Sequence, residues 1–354
     1  MNKKALIAMS GGVDSSVAAY LTQANGFTCI GATMQMCDKQ LLGKDCADDV
    51  QDAKSIANRL GIPFYVLGAT SLFREKVVAD FVSSYEAGLT PNPCIQCNRH
   101  LKFGHLLEKA LELGCDYVVT GHYARIQKDE KTGRYLLLKA ADPAKDQSYF
   151  LACLNQHQLS HILFPLGELT KEEARSIAED QGFINARKRD SQDICFIPDG
   201  DYAAFLRRYT HKEYPKGDFL DLDGNVVGKH SGAADYTLGQ RKGLGLAMGA
   251  PVYVCSKDMK KNTVTVGPDE ALFSNTLRAN NWSWFPFPAL TEPLKVTAKA
   301  RSRHTPQTAT VYPEENGFAK VIFDEPQRAL TPGQTIVLYD GDIVVGGGTI
   351  AEVL

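Results

Sequence analysis

Two groups of residues combine chemically useful side chains with informative spacing. The first is Ala8-Met9-Ser10-Gly11-Gly12-Val13-Asp14-Ser15-Ser16, between an apolar run and an amphipathic one. Paired glycines let the backbone approach an anion, and the amides of the following helix start point at it with the helix dipole behind them. Ser10, Ser15 and Ser16 add hydroxyl donors. Asp14 suits a phosphate site only if it holds the helix start or a magnesium ion. The simpler reading is a strand–turn–helix corner with a serine cap, and glycine pairs are common there. The agreement of position, serines and aspartate favours the anion site. No Gly-x4-Gly-Lys-Ser occurs, so a Walker-type loop is excluded, and no Gly-x-Gly-x-x-Gly follows the strand, which argues against a dinucleotide fold.

The second group is three cysteines. Cys94 and Cys97 lie in Thr90-Pro91-Asn92-Pro93-Cys94-Ile95-Gln96-Cys97-Asn98-Arg99, and Cys195 follows the basic run Arg187-Lys188-Arg189. A thiol attacks as its thiolate, and nearby cations raise that fraction, although Asp190 and Asp193 oppose this at Cys195. Three uses are open. A structural zinc would need Cys195 and His100 to complete four ligands, and on the cysteines alone it is the favoured use. An iron–sulfur cluster could sit on Cys94, Cys97 and Cys195 with an open fourth position. The third use is a thiol pair that handles sulfur or a disulfide. Cys29, Cys37, Cys46, Cys115, Cys153 and Cys255 read as packing residues, Cys37 and Cys46 least clearly.

These groups need a scaffold. Short apolar runs alternate with amphipathic ones through the first two hundred residues, the pattern of a parallel sheet wound on both faces by helices. Strands are expected at Lys4–Met9, Cys29–Met34, Phe64–Leu67 and Tyr117–Thr120, with helices at Asp14–Gln23, Asp48–Leu60 and Ser71–Tyr85. Thr170-Lys171-Glu172-Glu173 matches a capping box opening a helix that ends at Gly182. Beyond Asp199 a short helix at Asp201–Tyr209 gives way to short strands among glycines and prolines. The expected fold class is therefore α/β: a doubly wound catalytic domain over residues 1–198, a small central domain over 199–275 and a C-terminal β-barrel over 276–354. The aromatic stretch Asn281–Pro288 reads as a boundary.

With 354 residues, 44% of them hydrophobic and 23% charged, the composition is that of a globular protein of several domains. No apolar run reaches the roughly 20 residues of a membrane helix. Met1–Ser10 lacks a cleavage pattern, so a cytoplasmic protein is expected. Nine scattered cysteines in such a chain do not suggest a disulfide framework. A net charge of −2 does not announce nucleic-acid binding, although a local basic face would suffice.

Ser-Gly-Gly-x-Asp-Ser at the end of the first strand resembles the loop of the N-type ATP pyrophosphatases (the PP-loop superfamily). Taken with Thr90–Phe103, Gly121-His122-Tyr123, Lys145-Asp146-Gln147-Ser148-Tyr149-Phe150, Asp193–Phe196 and Tyr236–Arg241, the chain resembles the tRNA-specific 2-thiouridylases along nearly its whole length. That resemblance implies an adenine nucleotide alpha hydrolase-like domain binding ATP at Ala8–Ser16, Met34 and Gly121, with Mg2+. It implies catalytic Cys195 carrying a persulfide sulfur and Cys97 as partner nucleophile, a disulfide between them closing the cycle. Asn92, Pro93 and Cys94 would face the target base; some members carry aspartate where this chain has Cys94. The tRNA contacts implied are His122, Lys145, Asp146, Gln147, Arg301, Ser302, Arg303 and Gln334, the substrates the wobble uridines of the Lys, Glu and Gln acceptors. The sulfur donor would be a cysteine desulfurase or a relay protein.

Reading Lys295–His304 as one strand puts Lys295, Lys299, Arg301 and Arg303 on one face, suited to RNA or simply to solvent. Arg241 and Lys242 extend that path. Two rival functions share part of the pattern. A PP-loop synthetase acting on a small molecule explains Ser10–Ser16 but leaves the thiols idle; ATP turnover indifferent to RNA would mark it. A non-catalytic zinc-bearing RNA-binding protein would carry stoichiometric zinc and hydrolyse no ATP.

Overall fold

The computed structural model describes residues 2–36, 41, 47–188 and 194–354. Cys37, Cys46, Arg189, Asp190 and Asp193 lie outside the described residues. The N-terminal sheet is built from β1 (Lys4–Ala8), β2 (Thr28–Gln35), β3 (Phe64–Gly68), β4 (Tyr117–Val119) and, after an intervening hairpin of β5 (Arg125–Lys128) and β6 (Tyr135–Leu138), β7 (Ile162–Leu163). All its pairings are parallel, in the order β3-β2-β1-β4-β7.

The pleat explains how both faces are covered. Ala5 and Ile7 point into a core shared with α1 (Val13–Ala24), α2 (Ala47–Leu60) and a later helix, Lys171–Asp180. Leu6, between them, points the opposite way into Leu106, Leu107 and Ala110. Continuous apolar runs such as Ala5-Leu6-Ile7 are what a strand buried on both faces requires. Two further helical runs, residues 70–86 and 93–112, each contain a π-helical segment, at Arg74–Val78 and Asn98–His105. The Thr170 hydroxyl and Glu173 carboxylate form the expected capping box, with the Glu173 amide 3.2 Å from the Thr170 hydroxyl.

The middle sheet comprises β8 (Gly217–Leu220), β9 (Val226–His230), β10 (Tyr253–Asp258) and β11 (Thr263–Gly267), around Phe219, Tyr236, Val254 and Val264. The last six strands are β12 (Phe273–Trp284), β13 (Leu294–Lys299), β14 (Gln307–Pro313), β15 (Ala319–Arg328), β16 (Thr335–Asp340) and β17 (Ile343–Val353). Their order β12-β15-β14-β13-β16-β17, with β12 also paired to β17, closes a barrel. The stretch read as a boundary is thus partly strand. Trp282 and Trp284 stack at 4.6 Å and β12 runs through both, bulging where Asn281 takes a positive φ.

The barrel also reaches the cysteine loop. The Thr90 amide donates to Pro332 O at 3.0 Å, and Gln334 Nε2 donates to Thr90 O and Pro91 O at 3.0 and 3.2 Å. Gly333, at φ 90°, makes this approach possible, because a Cβ there would lie 2.9 Å from the Thr90 nitrogen. Gly333→Ala should therefore cost about 2–3 kcal/mol, combining left-handed strain with a backbone clash. Gly341→Ala, equally left-handed at φ 56° but with open space around it, should cost only about 1 kcal/mol. Denaturant melts of the two variants check the difference, and equal losses would show that the contact with Thr90 contributes nothing.

Candidate active site

The phosphate loop lies where β1 ends and α1 begins. Gly11 is left-handed at φ 74°, and a Cβ there would come within 2.5 Å of Asp49 O, so the loop is packed beneath the start of α2. Gly12 is the N-cap of α1, and no side chain caps it. The hydroxyls of Ser15 and Ser16 both donate to Gly12 O at 3.0 Å, while Ser15 Oγ accepts the Ser10 amide at 3.2 Å. The serines thus shape the loop and leave the first helical amides as its anion-facing donors. Gly121 follows β4, and a Cβ on it would lie 2.6 Å from the Asp14 carbonyl carbon. Met34 lies at the end of β2, so the residues expected to hold a nucleotide share the carboxyl edge of the sheet.

Asp14 has a different occupation from the one its sequence position suggested. Its carboxylate accepts from Lys171 Nζ at 2.7 and 2.9 Å and from the Tyr123 hydroxyl at 2.9 Å. Lys171 is only 5% exposed. Asn185 adds a second tie, donating through Nδ2 to Gly11 O and Ser16 Oγ at 3.0 and 2.9 Å. Lys171 was visible in the sequence only as a member of a capping box, and Asn185 carried no signal.

The thiols lie along the same edge. Residues 93–97 form the first turn of the 93–112 run, and Cys97 Sγ lies 3.8 Å from the Met36 sulfur, just beyond β2. Cys97 is buried among Phe73, Phe81 and Phe196, whereas Cys94 and Cys195 are exposed. Ile194 and Phe196, the neighbours of Cys195, pack into the core that contains Cys97. Burial pushes the Cys97 thiol up to about 12, with charge on Cys195 and Cys94 adding to the rise and Lys102 opposing it. Burial also raises Cys94, which reaches solvent from a recess walled by protein, and Lys102 again lowers it.

Of the basic run before Cys195, the two described cations are engaged with carboxylates. Lys188 is bonded to Asp49 and Asp52, both at 2.8 Å, and Arg187 pairs with Glu179. Lys102 is the cation that acts on Cys94 and Cys97. It follows Cys97 by five residues, a spacing that a regular α-helix would turn away and that the π-helical i→i+5 pitch returns to the same side, and its charge lowers both thiols. Among the described residues no three His, Cys, Asp or Glu side chains are placed to hold a metal ion. Cys29, Cys115 and Cys153 are buried and Cys255 half-buried, as packing residues should be.

The remaining site residues connect these parts. His122 Nδ1 lies 2.7 Å from Thr120 Oγ1, and burial holds its pKa well below the usual value, so the ring is neutral. Gln147 Oε1 accepts the Tyr123 amide at 2.9 Å. Asp146 accepts from the amides of Ala140 and Ser148 at 3.1 Å, and Lys145 is half-buried in the same turn. Asn98 Nδ2 donates to Phe150 O at 2.9 Å, joining that turn to the thiol helix. The four-cation strand face does not form. β13 stops at Lys299, and Arg301 turns to donate to Leu238 O, Ala329 O and, at 2.7 Å, the Thr331 hydroxyl. Lys295 and Lys299 keep one face, Ser302 is half-buried and Arg303 is exposed in the following turn.

Residues 3–199 match the tRNA methyl transferase HUP domain, 203–268 the tRNA methyl transferase PRC-barrel domain and 274–350 the aminomethyltransferase beta-barrel domain. The chain is 48% identical to the tRNA-specific 2-thiouridylase MnmA of Clostridioides difficile, covering 100% of this chain and 99% of that one. It is 47% identical to the protein of that name from Clostridium acetobutylicum, covering 99% and 100%. Among solved structures, the U34-tRNA thiolase NcsA from Methanococcus maripaludis aligns over 60% of this chain and 74% of that chain, at 16% identity and a TM-score of 0.35, a distant likeness. Full-length identity near one residue in two, with matches to all three domain models in order, means that the chain belongs to the tRNA-specific 2-thiouridylase family.

Proposed function

We propose that this chain is an ATP-dependent tRNA 2-thiouridylase that adenylates the C2 oxygen of a wobble uridine and replaces it with sulfur. The observation that carries the reading is the shared edge: the phosphate loop follows β1, and the Cys97 sulfur lies beside Met36 just past β2. Both halves of the chemistry are needed. The C2 oxygen is a poor leaving group until it bears an adenylyl group that can depart as AMP, and the activated carbon then needs a sulfur nucleophile. ATP would lie on the amides of Gly12–Ser15, with its adenine toward Met34 and Gly121. Magnesium, when bound with the triphosphate, would neutralise charge on the departing pyrophosphate. Asp14 is committed to Lys171 and Tyr123, so no magnesium ligand is assigned to it.

Cys195 would carry the sulfur as a persulfide, and the Cys94–Cys97 loop would supply the thiol that releases it, with Cys97 as the family's partner nucleophile. Asn92, Pro93 and Cys94 would meet a uridine extruded from its stack. His122, Lys145, Asp146, Gln147, Arg301, Ser302, Arg303 and Gln334 would position the tRNA, whose acceptors would be those for Lys, Glu and Gln. Several of these already bond within the protein, so their part would be to present backbone and side-chain edges that are held in place. The persulfide would come from a cysteine desulfurase or a relay protein.

Nucleoside analysis of tRNA incubated with the protein, ATP, magnesium and a persulfide source tests the reading. The wild-type chain should form 2-thiouridine and Cys195→Ser should form none; undiminished product from the variant removes Cys195 from its role. Lys171→Met probes the nucleotide half. Removing a buried cation from an ion pair costs about 3–5 kcal/mol, and the partial exposure of Asp14 reduces this to about 2–3. The negative charge left at the loop should also slow tRNA-dependent pyrophosphate release by at least about tenfold. Release at the wild-type rate would show that the pair only stabilises the fold.

A further inference from the structure

Two adjacent glycines let the phosphate loop approach an anion closely, and they also leave it a weakness. The peptide that joins Gly11 to Gly12 can turn over at little steric cost, because neither residue carries a Cβ. A trans peptide holds its carbonyl and its N–H on opposite sides. One orientation therefore offers an anion a donor, and the other offers it a repelling oxygen. Whatever fixes this plane decides whether the loop can receive a phosphate.

Asn185 is the side chain that holds it. Its Nδ2 donates to Gly11 O at 3.0 Å and to Ser16 Oγ at 2.9 Å, from 174 and 169 residues away. Ser16 in turn donates its own proton to Gly12 O at 3.0 Å. One amide group, acting directly and through one hydroxyl, thus engages both glycine carbonyls. Asn185 is 3% exposed and Gly11 is buried, whereas Gly12 is half-buried. With the Gly11 carbonyl drawn inward to Asn185, the Gly12 N–H points outward, and no acceptor among the described residues is bonded to it. The two acceptors require two donors, which an Asn NH2 supplies, while a carboxylate of the same shape would set oxygen against oxygen. Asn185 Oδ1 is buried with no partner among the described residues, so these donations are what hold the side chain. An apolar side chain would fill the space without leaving a buried acceptor unpaired, so packing alone does not account for an amide here.

We propose that Asn185 is a positioning residue for the triphosphate: it locks the Gly11–Gly12 peptide with its N–H toward the anion. It thereby sets how strongly the site prefers phosphate to the uncharged part of the nucleotide. The proposal rests on the reading of Ala8–Ser16 as the ATP loop. Two buried side chains then prepare the loop in complementary ways. Lys171 compensates the Asp14 charge that would repel an incoming phosphate, and Asn185 turns away the carbonyl dipole that would do the same.

The test is equilibrium dialysis of ATP with magnesium, and separately of adenosine, against the wild type, Asn185→Ala and Asn185→Asp, with a thermal melt of each protein. Asn185→Ala should bind ATP at least about tenfold more weakly and adenosine as the wild type does. Asn185→Asp should lose more than Asn185→Ala at about pH 8, where a carboxylate cannot donate. Burial raises the pKa of such a carboxyl, and once protonated it donates again. Its ATP affinity, taken as a ratio to the wild type, should therefore recover severalfold as pH falls from about 8 to about 6. The charged groups around the loop, Asp14 with Lys171 and Asp49 with Lys188, are common to all three proteins, so the ratio isolates position 185. A lowered melt with unchanged ATP affinity, equal losses of ATP and adenosine, or an Asn185→Asp deficit that ignores pH overturns the proposal and leaves the ATP site intact. Should Asn185→Ala not fold, the pH response of the isosteric Asn185→Asp decides alone. Failure of the wild type to bind ATP would instead refute the nucleotide reading beneath it.

Discussion

A carboxylate beside a loop built to receive phosphate is an electrostatic contradiction, and the structure resolves it with one buried cation. Asp14 lies in the first turn of α1, where its charge suits the helix dipole but would repel an incoming anion. Lys171 compensates that charge with two short bonds while being almost wholly withdrawn from water. The Tyr123 hydroxyl takes part of the same carboxylate and thereby fixes the Gly121–Tyr123 segment against the loop. From there bonds run to the thiol loop: Gln147 holds the Tyr123 amide, the turn that follows carries Phe150, and Asn98, next to Cys97, donates to the Phe150 carbonyl. Nucleotide and sulfur ends are therefore fixed to one another by a continuous polar path, and the Asp14–Lys171 pair anchors one end of it.

How much of this was legible depended on the range of each interaction. The parallel sheet was readable because double burial leaves a local trace, as in Ala5-Leu6-Ile7, and the capping box at Thr170–Glu173 is a signal four residues long. The phosphate loop was readable for the same reason. Lys171 was not, because the carboxylate it serves lies 157 residues away and nothing near it in sequence marks a buried ammonium. The π-helical segment after Cys97 was equally hidden, and with it the role of Lys102. Lys188 and Arg187 were legible only as cations near Cys195 in sequence, while their partners, the acids of α2 and Glu179, are set by the fold. Arg301 misled: continuing the strand alternation past Lys299 ignored the carbonyls that draw its guanidinium inward.

The thiols show burial outweighing charge. Lys102 stands close enough to lower both Cys94 and Cys97, yet desolvation still leaves each above the ordinary thiol range. An unreactive resting thiol has a chemical advantage in a protein whose intermediate is an electrophilic, adenylated base. A permanently ionised Cys97 would be open to oxidation between turnovers, whereas a buried, protonated thiol is shielded from it.

The barrel's part follows from the backbone of the thiol loop. Thr90 and Pro91 are buried, and buried amides and carbonyls must find partners. Proline punctuation removes the option of helix or strand there, so the partners come from elsewhere: Pro332 O for the Thr90 amide, and Gln334 for the two carbonyls. Arg301 holds that same barrel turn through Thr331 and reaches the central domain at Leu238. The loop that presents Cys94 and Cys97 is thus completed by residues some 240 positions away, and the barrel turn that supplies them is itself fixed by Arg301. The backbone of the thiol loop therefore depends on the barrel for its hydrogen bonds, so the two cannot be displaced from one another without leaving buried amides and carbonyls unpaired.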